Sequence, residues 1–274
     1  MSFHCILIVP CLVAALTANT LLAEPVEPKD GPLGMKFVKL PKGTFYMGWD
    51  GKKRGVKTEI KEDFEIAVYT VTQELWLAVM GDNPSRFSRT GSSKEEVKNI
   101  SDADLKQFPI EQVSWNHTQH FIKKLNEKEN GNGYLYRLPM SAEWEYACRG
   151  GATSEDECSF HFYFAKPTND LSSDQANFWG EDPFGNAPKG PFLIRTTKVG
   201  SYKPNKLGLY DMHGNVFQWC QDLTREGGPD RVFRGSCWAS RGSECKASSL
   251  AGAGPLTVTG SHGFRLVRVQ SGGK

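Results

Sequence analysis

Residues 209–270 carry three apolar, β-prone runs separated by glycine-rich and polar turns. The first is Leu209-Tyr210-Asp211-Met212-His213-Gly214-Asn215-Val216-Phe217-Gln218-Trp219. The second is Arg231-Val232-Phe233-Arg234-Gly235-Ser236-Cys237-Trp238, and the third is Gly263-Phe264-Arg265-Leu266-Val267-Arg268. Runs of this kind read as antiparallel strands of one packed sheet. Trp219, Trp238 and Phe264 are then core anchors, the usual work of large aromatic side chains.

Upstream, the pattern predicts short strands at 35–39, 44–47 and 64–68, the first two joined by the turn Leu40-Pro41-Lys42-Gly43. Thr72 caps a helix over 73–80, Ser114 caps a second running to about Glu127, and a third covers 141–149. Residues 88–107 are polar and read as a surface insertion. His117 and His120 share a helix face, but no third ligand stands at metal spacing, so they read as ordinary polar residues. Glu143 and Glu145 are two apart on a helix and point to different faces. Their expected work is to hold Arg137 and backbone groups, not acid/base chemistry. The long irregular segment 171–195 is of a length that is usually functional or stabilised by an ion.

The chain has 33 basic and 31 acidic residues, a balance that excludes a nucleic-acid face. Residues 1–23 contain no Asp, Glu, Lys or Arg and read as a secretory signal peptide, too short in its apolar part for a membrane span. The secreted or periplasmic product would have no stable span. Residues 24–33 read as a flexible leader and 34–270 as one domain. Of seven cysteines, removal of Cys5 and Cys11 leaves Cys148, Cys158, Cys220, Cys237 and Cys245. In an exported chain cysteines tend to pair, and an odd number leaves one over. Cys220 and Cys237 flank the turn 223–230 and could face each other, as a cross-strand disulfide or as two buried thiols. Cys158 is then the spare thiol.

The blocks Gly43-Thr44-Phe45-Tyr46-Met47-Gly48, Val113-Ser114-Trp115-Asn116, Arg137-Leu138-Pro139 with Glu143-Trp144-Glu145, and the three C-terminal runs occur in one order. That order resembles the formylglycine-generating-enzyme (sulfatase-modifying-factor) family over about residues 33–269. The resemblance implies an α+β, C-type-lectin-like fold with few helices packed on antiparallel sheets. It implies a calcium ligand set at Asp211, Gly214, Val216 and Gln218, where Gln218 replaces an acidic residue. A second set would use Asn177 and Phe178, with Lys189 standing near where a carboxylate is missing. It also implies a disulfide between Cys148 and Cys245.

The family's oxidase activity resembles a copper-thiolate mechanism that converts a sulfatase cysteine to formylglycine. Soft Cu(I) needs thiolates, and a hydroxyl cannot substitute. Ser240 stands at the position of the first catalytic cysteine, and the segment that would carry the second is shortened. The resemblance therefore implies a binding or accessory module, without a working copper pair, for a peptide, a sulfatase or a glycan. The alternative is a formylglycine-generating oxidase that uses Cys220 and Cys237 instead.

Overall fold

The computed structural model describes Met1, residues 27–49 and residues 53–272. The signal-peptide reading therefore falls almost wholly outside the described residues. The chain opens with β1 (Lys29–Asp30), β2 (Lys36–Leu40), β3 (Gly43–Met47), β4 (Val56–Ile60) and β5 (Phe64–Ala67). Helices α1 (Gln73–Met80), α2 (Asp102–Lys106) and α3 (Trp115–Lys128) follow, then β6 (Tyr134–Arg137) and helix α4 (Ser141–Cys148). After β7 (Phe162–Tyr163) and β8 (Pro167–Thr168) comes a long loop. The chain closes through β9 (Phe217–Leu223), β10 (Arg231–Arg234), β11 (Leu250–Ala253), β12 (His262–Gly263) and β13 (Val267–Gln270). The fold is α+β, with little regular secondary structure for its length.

The helix starts follow their caps. The Thr72 side chain accepts from the Leu75 N–H, and Ser114 accepts from the His117 N–H, while His117 Nδ1 accepts from the Ser114 N–H. His117 is thus a capping residue, as its polar reading required. Gly81, left-handed at φ 88°, closes α1.

The C-terminal runs do not form one sheet. β9 and β10 pair antiparallel, with Phe233 opposite Trp219, inside a four-stranded sheet of order β11-β10-β9-β12. The third run divides. β12 lies parallel to β9, whereas β13 crosses to a five-stranded sheet of order β1-β2-β5-β13-β6. The division has a cause in the residues. Phe264 and Leu266 are fully buried in the core between the sheets, and Arg265 anchors the crossing strand to both sides. One core cluster gathers Phe45, Trp144, Tyr146, Cys148 and Cys220, and another gathers Trp76, Phe121, Trp219 and Phe264.

Two further readings are corrected. Residues 29–33 of the supposed flexible leader are part of the fold. Lys29 pairs with Phe37 in the sheet and its Nζ meets Glu65 at 3.1 Å. Residues 88–107 are also more than a surface insertion, because Val97 and Leu105 join Phe87 and Phe108 in a small core of their own. Trp238 packs at the edge of that cluster, half-buried, and not in the β9–β10 core. Among the described residues no helix is long and apolar enough to cross a membrane.

Candidate functional site

The segment that follows β10 is where the oxidase chemistry would have to reside. Gly235 (φ 87°) and Ser236 (φ 63°) are both left-handed and turn the chain out of the sheet. A Cβ on Gly235 would lie 3.0 Å from the Trp144 ring, so the turn needs both the conformation and the space. The Trp238 N–H then donates to the Asn215 carbonyl and its indole N–H to the Gly260 carbonyl, both at 3.0 Å. Ser240 is 5% exposed. Its hydroxyl accepts from the Cys237 N–H at 3.3 Å and lies 3.6 Å from the Cys237 sulfur, while its carbonyl accepts from the Trp179 N–H. The hydroxyl therefore ties a turn together where a metal ligand would be needed.

All five described cysteines are buried free thiols. Cys148 and Cys245, expected to be bonded to each other, are both free thiols, and the imidazole of His213 touches the Cys148 sulfur and the Cys245 backbone. His213 Nε2 is 3.7 Å from the Cys148 sulfur and accepts from the Tyr163 N–H at 2.9 Å, while Nδ1 donates to the Cys245 carbonyl at 2.7 Å. Burial pushes the His213 pKa down to about 4, so the ring is neutral and serves as a structural bridge.

The pairing of Cys220 with Cys237 is also corrected. The Cys237–Trp238 segment meets the chain at Asn215, five positions before Cys220 along the run into β9. At the ordinary strand rise this separates the two cysteines by on the order of 15 Å. Neither a disulfide nor a copper site is built from that pair. Burial pushes the Cys220 and Cys237 thiols up, and Cys148 up to about 12. Cys245 is raised by burial and by its neighbour Cys237, which makes Cys237 and Cys245 the sulfurs that feel one another. Cys158 is buried beside Ala152, its thiol donating to that carbonyl.

The first calcium set would offer its oxygens to a hard cation, which takes six to eight of them, and the Gln218 oxygen is already engaged. The Gln218 amide oxygen accepts from Trp144 Nε1 and from Arg265 Nε, each at 2.8 Å, and its nitrogen donates to the Asp211 carbonyl at 2.8 Å. The guanidinium of Arg265, fully buried, also donates to the carbonyls of Ala67, Val68 and Tyr210. Of the expected calcium ligands, Arg265 therefore engages the Gln218 oxygen alone. Asp211 supplies the one carboxylate, accepting from the Gly200 N–H; burial raises its pKa to about 6, opposed by Arg265. Gly214 is left-handed, and a Cβ there would come 2.3 Å from the Asn177 carbonyl oxygen. Val216 is buried core.

In the second set, Asn177 donates to the Arg195 carbonyl at 2.9 Å and to Asn215 Oδ1 at 3.2 Å, and Phe178 is buried among Phe162 and Leu171. Lys189 is exposed. Asn215 completes this lock through Thr197, so side-chain amides fasten the long loop to the core. Sequence reasoning passed over Asn215. Its place in a Gly-Asn pair between two apolar runs was the available signal.

Glu111 is a second residue the sequence did not mark. It is fully buried, its Oε1 accepts from the Phe87 N–H at 2.9 Å, and its Oε2 has no partner. Burial pushes its pKa up to about 7, against its hydrogen bonds and Arg86. A raised carboxyl pKa means the folded state holds the proton more tightly, so its stabilising contribution is complete below about pH 4.5 and is lost as pH rises through about 7. Glu111→Gln is therefore expected to raise stability by on the order of 2 kcal/mol at pH 8 and by much less at pH 4.5. Urea unfolding at the two pH values measures the difference.

Comparison with known proteins follows the same blocks. The sulfatase-modifying factor enzyme 1-like domain matches residues 24–270. The chaperone protein LppX of Paenibacillus barcinonensis is 31% identical over 238 residues, covering 75% of this chain and 80% of LppX. The formylglycine-generating enzyme of Streptomyces coelicolor is 29% identical over 176 residues, and there the match covers 57% of this chain and 51% of the enzyme. Among solved structures, Treponema denticola variable protein 1 superposes with a TM-score of 0.66 at 24% identity, covering 88% of this chain and 98% of that one. The last likeness is one of fold alone.

Proposed function

Because this chain belongs to the sulfatase-modifying factor enzyme 1-like family, we propose that it is a binding or accessory module of that family that has lost the copper-dependent oxidase step. The observation that carries the reading is Ser240, a buried hydroxyl tied to the Cys237 N–H at the position where the reaction requires a thiolate. Burial also raises the pKa of the surrounding thiols, which disfavours free thiolate at neutral pH.

Of the peptide, sulfatase and glycan occupants, an extended peptide is favoured. Beside the altered segment lies a cavity of about 310 Å³ with Phe217 and Phe233 in its wall and Ser236, Ser243, Glu244 and Leu250 around them. It runs along β11, an edge strand whose Leu250 is 54% exposed. An edge strand offers backbone donors and acceptors to an added strand, and the neighbouring cavity would select a side chain. LppX, a relative named as a chaperone protein, supports a role in binding another chain. Export rests on the uncharged segment of residues 1–23.

One observation favours a second reading. The Ser236 hydroxyl donates to the Glu244 carbonyl at 2.6 Å, which brings the adjacent Cys237 and Cys245 into one neighbourhood, so an oxidase with displaced thiols would use this pair and not Cys220. The test is incubation of the purified protein with Cu(I), O2 and a Cys-x-Pro-x-Arg peptide, followed by mass spectrometry for the aldehyde. No aldehyde above a protein-free control is expected. Turnover abolished by Cys237→Ser would establish the oxidase instead.

A further inference from the structure

Between α3 and β6 the chain turns through Glu129-Asn130-Gly131-Asn132-Gly133, which holds both Asn-Gly pairs of the sequence. The two glycines are left-handed, at φ 88° and 83°, and a Cβ on either would meet nothing within 4 Å. The turn therefore uses glycine for its backbone freedom, and the space beside it is open. Asn130, Gly131, Asn132 and Gly133 are all exposed. In an Asn-Gly pair the next backbone nitrogen can approach the side-chain amide closely, because glycine puts no Cβ in its way.

The two asparagines share a sequence context and differ in how they are held. The Asn132 Oδ1 accepts from the Tyr134 N–H at 2.9 Å, closing an Asx turn. Its Nδ2 donates to Glu129 Oε2 at 3.1 Å and to the Tyr136 hydroxyl at 3.3 Å. Tyr134 and Tyr136 belong to β6, so this amide is fastened to the sheet. The residue after it is fixed as well, since the Gly133 carbonyl accepts from the Ser271 N–H at 2.9 Å. Among the described residues, no hydrogen bond engages the Asn130 side chain or the Gly131 N–H.

We infer that Asn130 is a self-modification site, at which the chain deamidates through a cyclic imide, while Asn132 is protected by its hydrogen bonds. The Gly131 nitrogen gives its proton to solvent base and bonds to Asn130 Cγ. The Cγ–Nδ2 bond breaks, and Nδ2 takes up a proton and leaves as ammonia. Water then opens the ring at either carbonyl, which gives aspartate or isoaspartate at position 130. Water is consumed and ammonia released, with no change of oxidation state. The new carboxylate stands next to Glu129, just beyond the negative end of α3, so each event adds repulsion at that helix terminus. None of these residues belongs to the altered segment or to β11, so the modification is independent of the fate of the oxidase step.

The test is incubation of the folded full chain at pH 8 and 37 °C, with peptide mapping by mass spectrometry at intervals. Exchange of the amide NH2 for OH, with separate peaks for the aspartate and isoaspartate peptides, marks each site. The Asn132 hydrogen bonds must break before that residue can react, so Asn130 is expected to react at least about tenfold faster. In the chain unfolded by guanidinium chloride the protection is gone, and both sites are expected to react at closely similar rates. Asn130→Gln changes a side chain without a partner, so the variant is expected to keep the wild-type melting temperature and to lose the fast phase of ammonia release. Equal rates at the two sites in the folded chain, or Asn132 reacting first, would overturn the assignment. So would an Asn130 that stays intact in the folded chain over the time in which the unfolded chain reacts.

Discussion

Glu145→Gln is expected to destabilise the fold by about 3–5 kcal/mol, the range for leaving buried charges without their partner. Glu145 is the hub of a dry ionic cluster. Its Oε1 accepts from Arg149 Nη2 at 2.7 Å, Arg149 Nε at 2.9 Å and the Gly48 N–H at 2.7 Å, and its Oε2 accepts from Arg234 Nη2 at 2.8 Å. All three side chains are fully buried, so solvent screens none of these contacts. Removal of the single carboxylate charge leaves two guanidinium groups facing each other in low dielectric. Arg149 also binds the Cys158 and Phe160 carbonyls, and Arg234 binds those of Ala247 and Ser249. The cluster therefore joins α4, β10 and two loops. A fall in melting temperature on the order of 10 °C is the readout. Glu143→Gln is the control. Its bidentate contact with Arg137, at 2.6 and 2.7 Å, is partly open to solvent, and about 1 kcal/mol is expected.

Arg265→Met is expected to cost a similar amount, about 3–5 kcal/mol. The guanidinium ties three carbonyls, at 2.6, 2.9 and 2.6 Å, to the Gln218 amide oxygen, and it is the cation nearest in effect to Asp211. Methionine fills the volume and supplies none of those donors. The same geometry makes a claim about metal. With the Gln218 amide oxygen engaged by Arg265 and Trp144, 1 mM CaCl2 or excess EDTA is expected to move the wild-type melting temperature by less than about 1 °C. A site with a 10 µM dissociation constant would add about 2.7 kcal/mol at that concentration and shift it by several degrees. Thermal melts in the two buffers decide.

Much of the fold was legible because it rests on local rules. Thr72 and Ser114 announce their helices through side-chain oxygens that satisfy free amides, and both helices start where the caps put them. The separation of Glu143 from Glu145 also follows from helical spacing alone. The run at Gly263–Arg268 misled because apolar alternation fixes that a strand is buried but not which sheet buries it. The choice is made by Arg265 reaching Ala67 on one side and Gln218 on the other, contacts spanning 198 and 47 residues. Partners that far apart leave no trace in a local pattern.

The cysteines show the same limit at the candidate site. Cys220 and Cys237 flank a turn and looked opposed, but the left-handed pair Gly235–Ser236 carries Cys237 out of the sheet before the strands can bring the two together. Cys148 and Cys245 are linked through His213, which meets the sulfur of one and the backbone carbonyl of the other. Ser240 was legible in the sequence, because a hydroxyl in place of a thiol is a change of chemistry that no packing can restore.

The most direct measurement is a Cu(I) competition titration of the folded full chain against bathocuproine disulfonate, repeated on Cys237→Ser and Cys245→Ser. With a hydroxyl at Ser240 in place of a thiol, the copper should stay with the chelator in all three proteins. One equivalent of Cu(I) withdrawn by the wild type, and released by either substitution, would contradict the loss of the copper site.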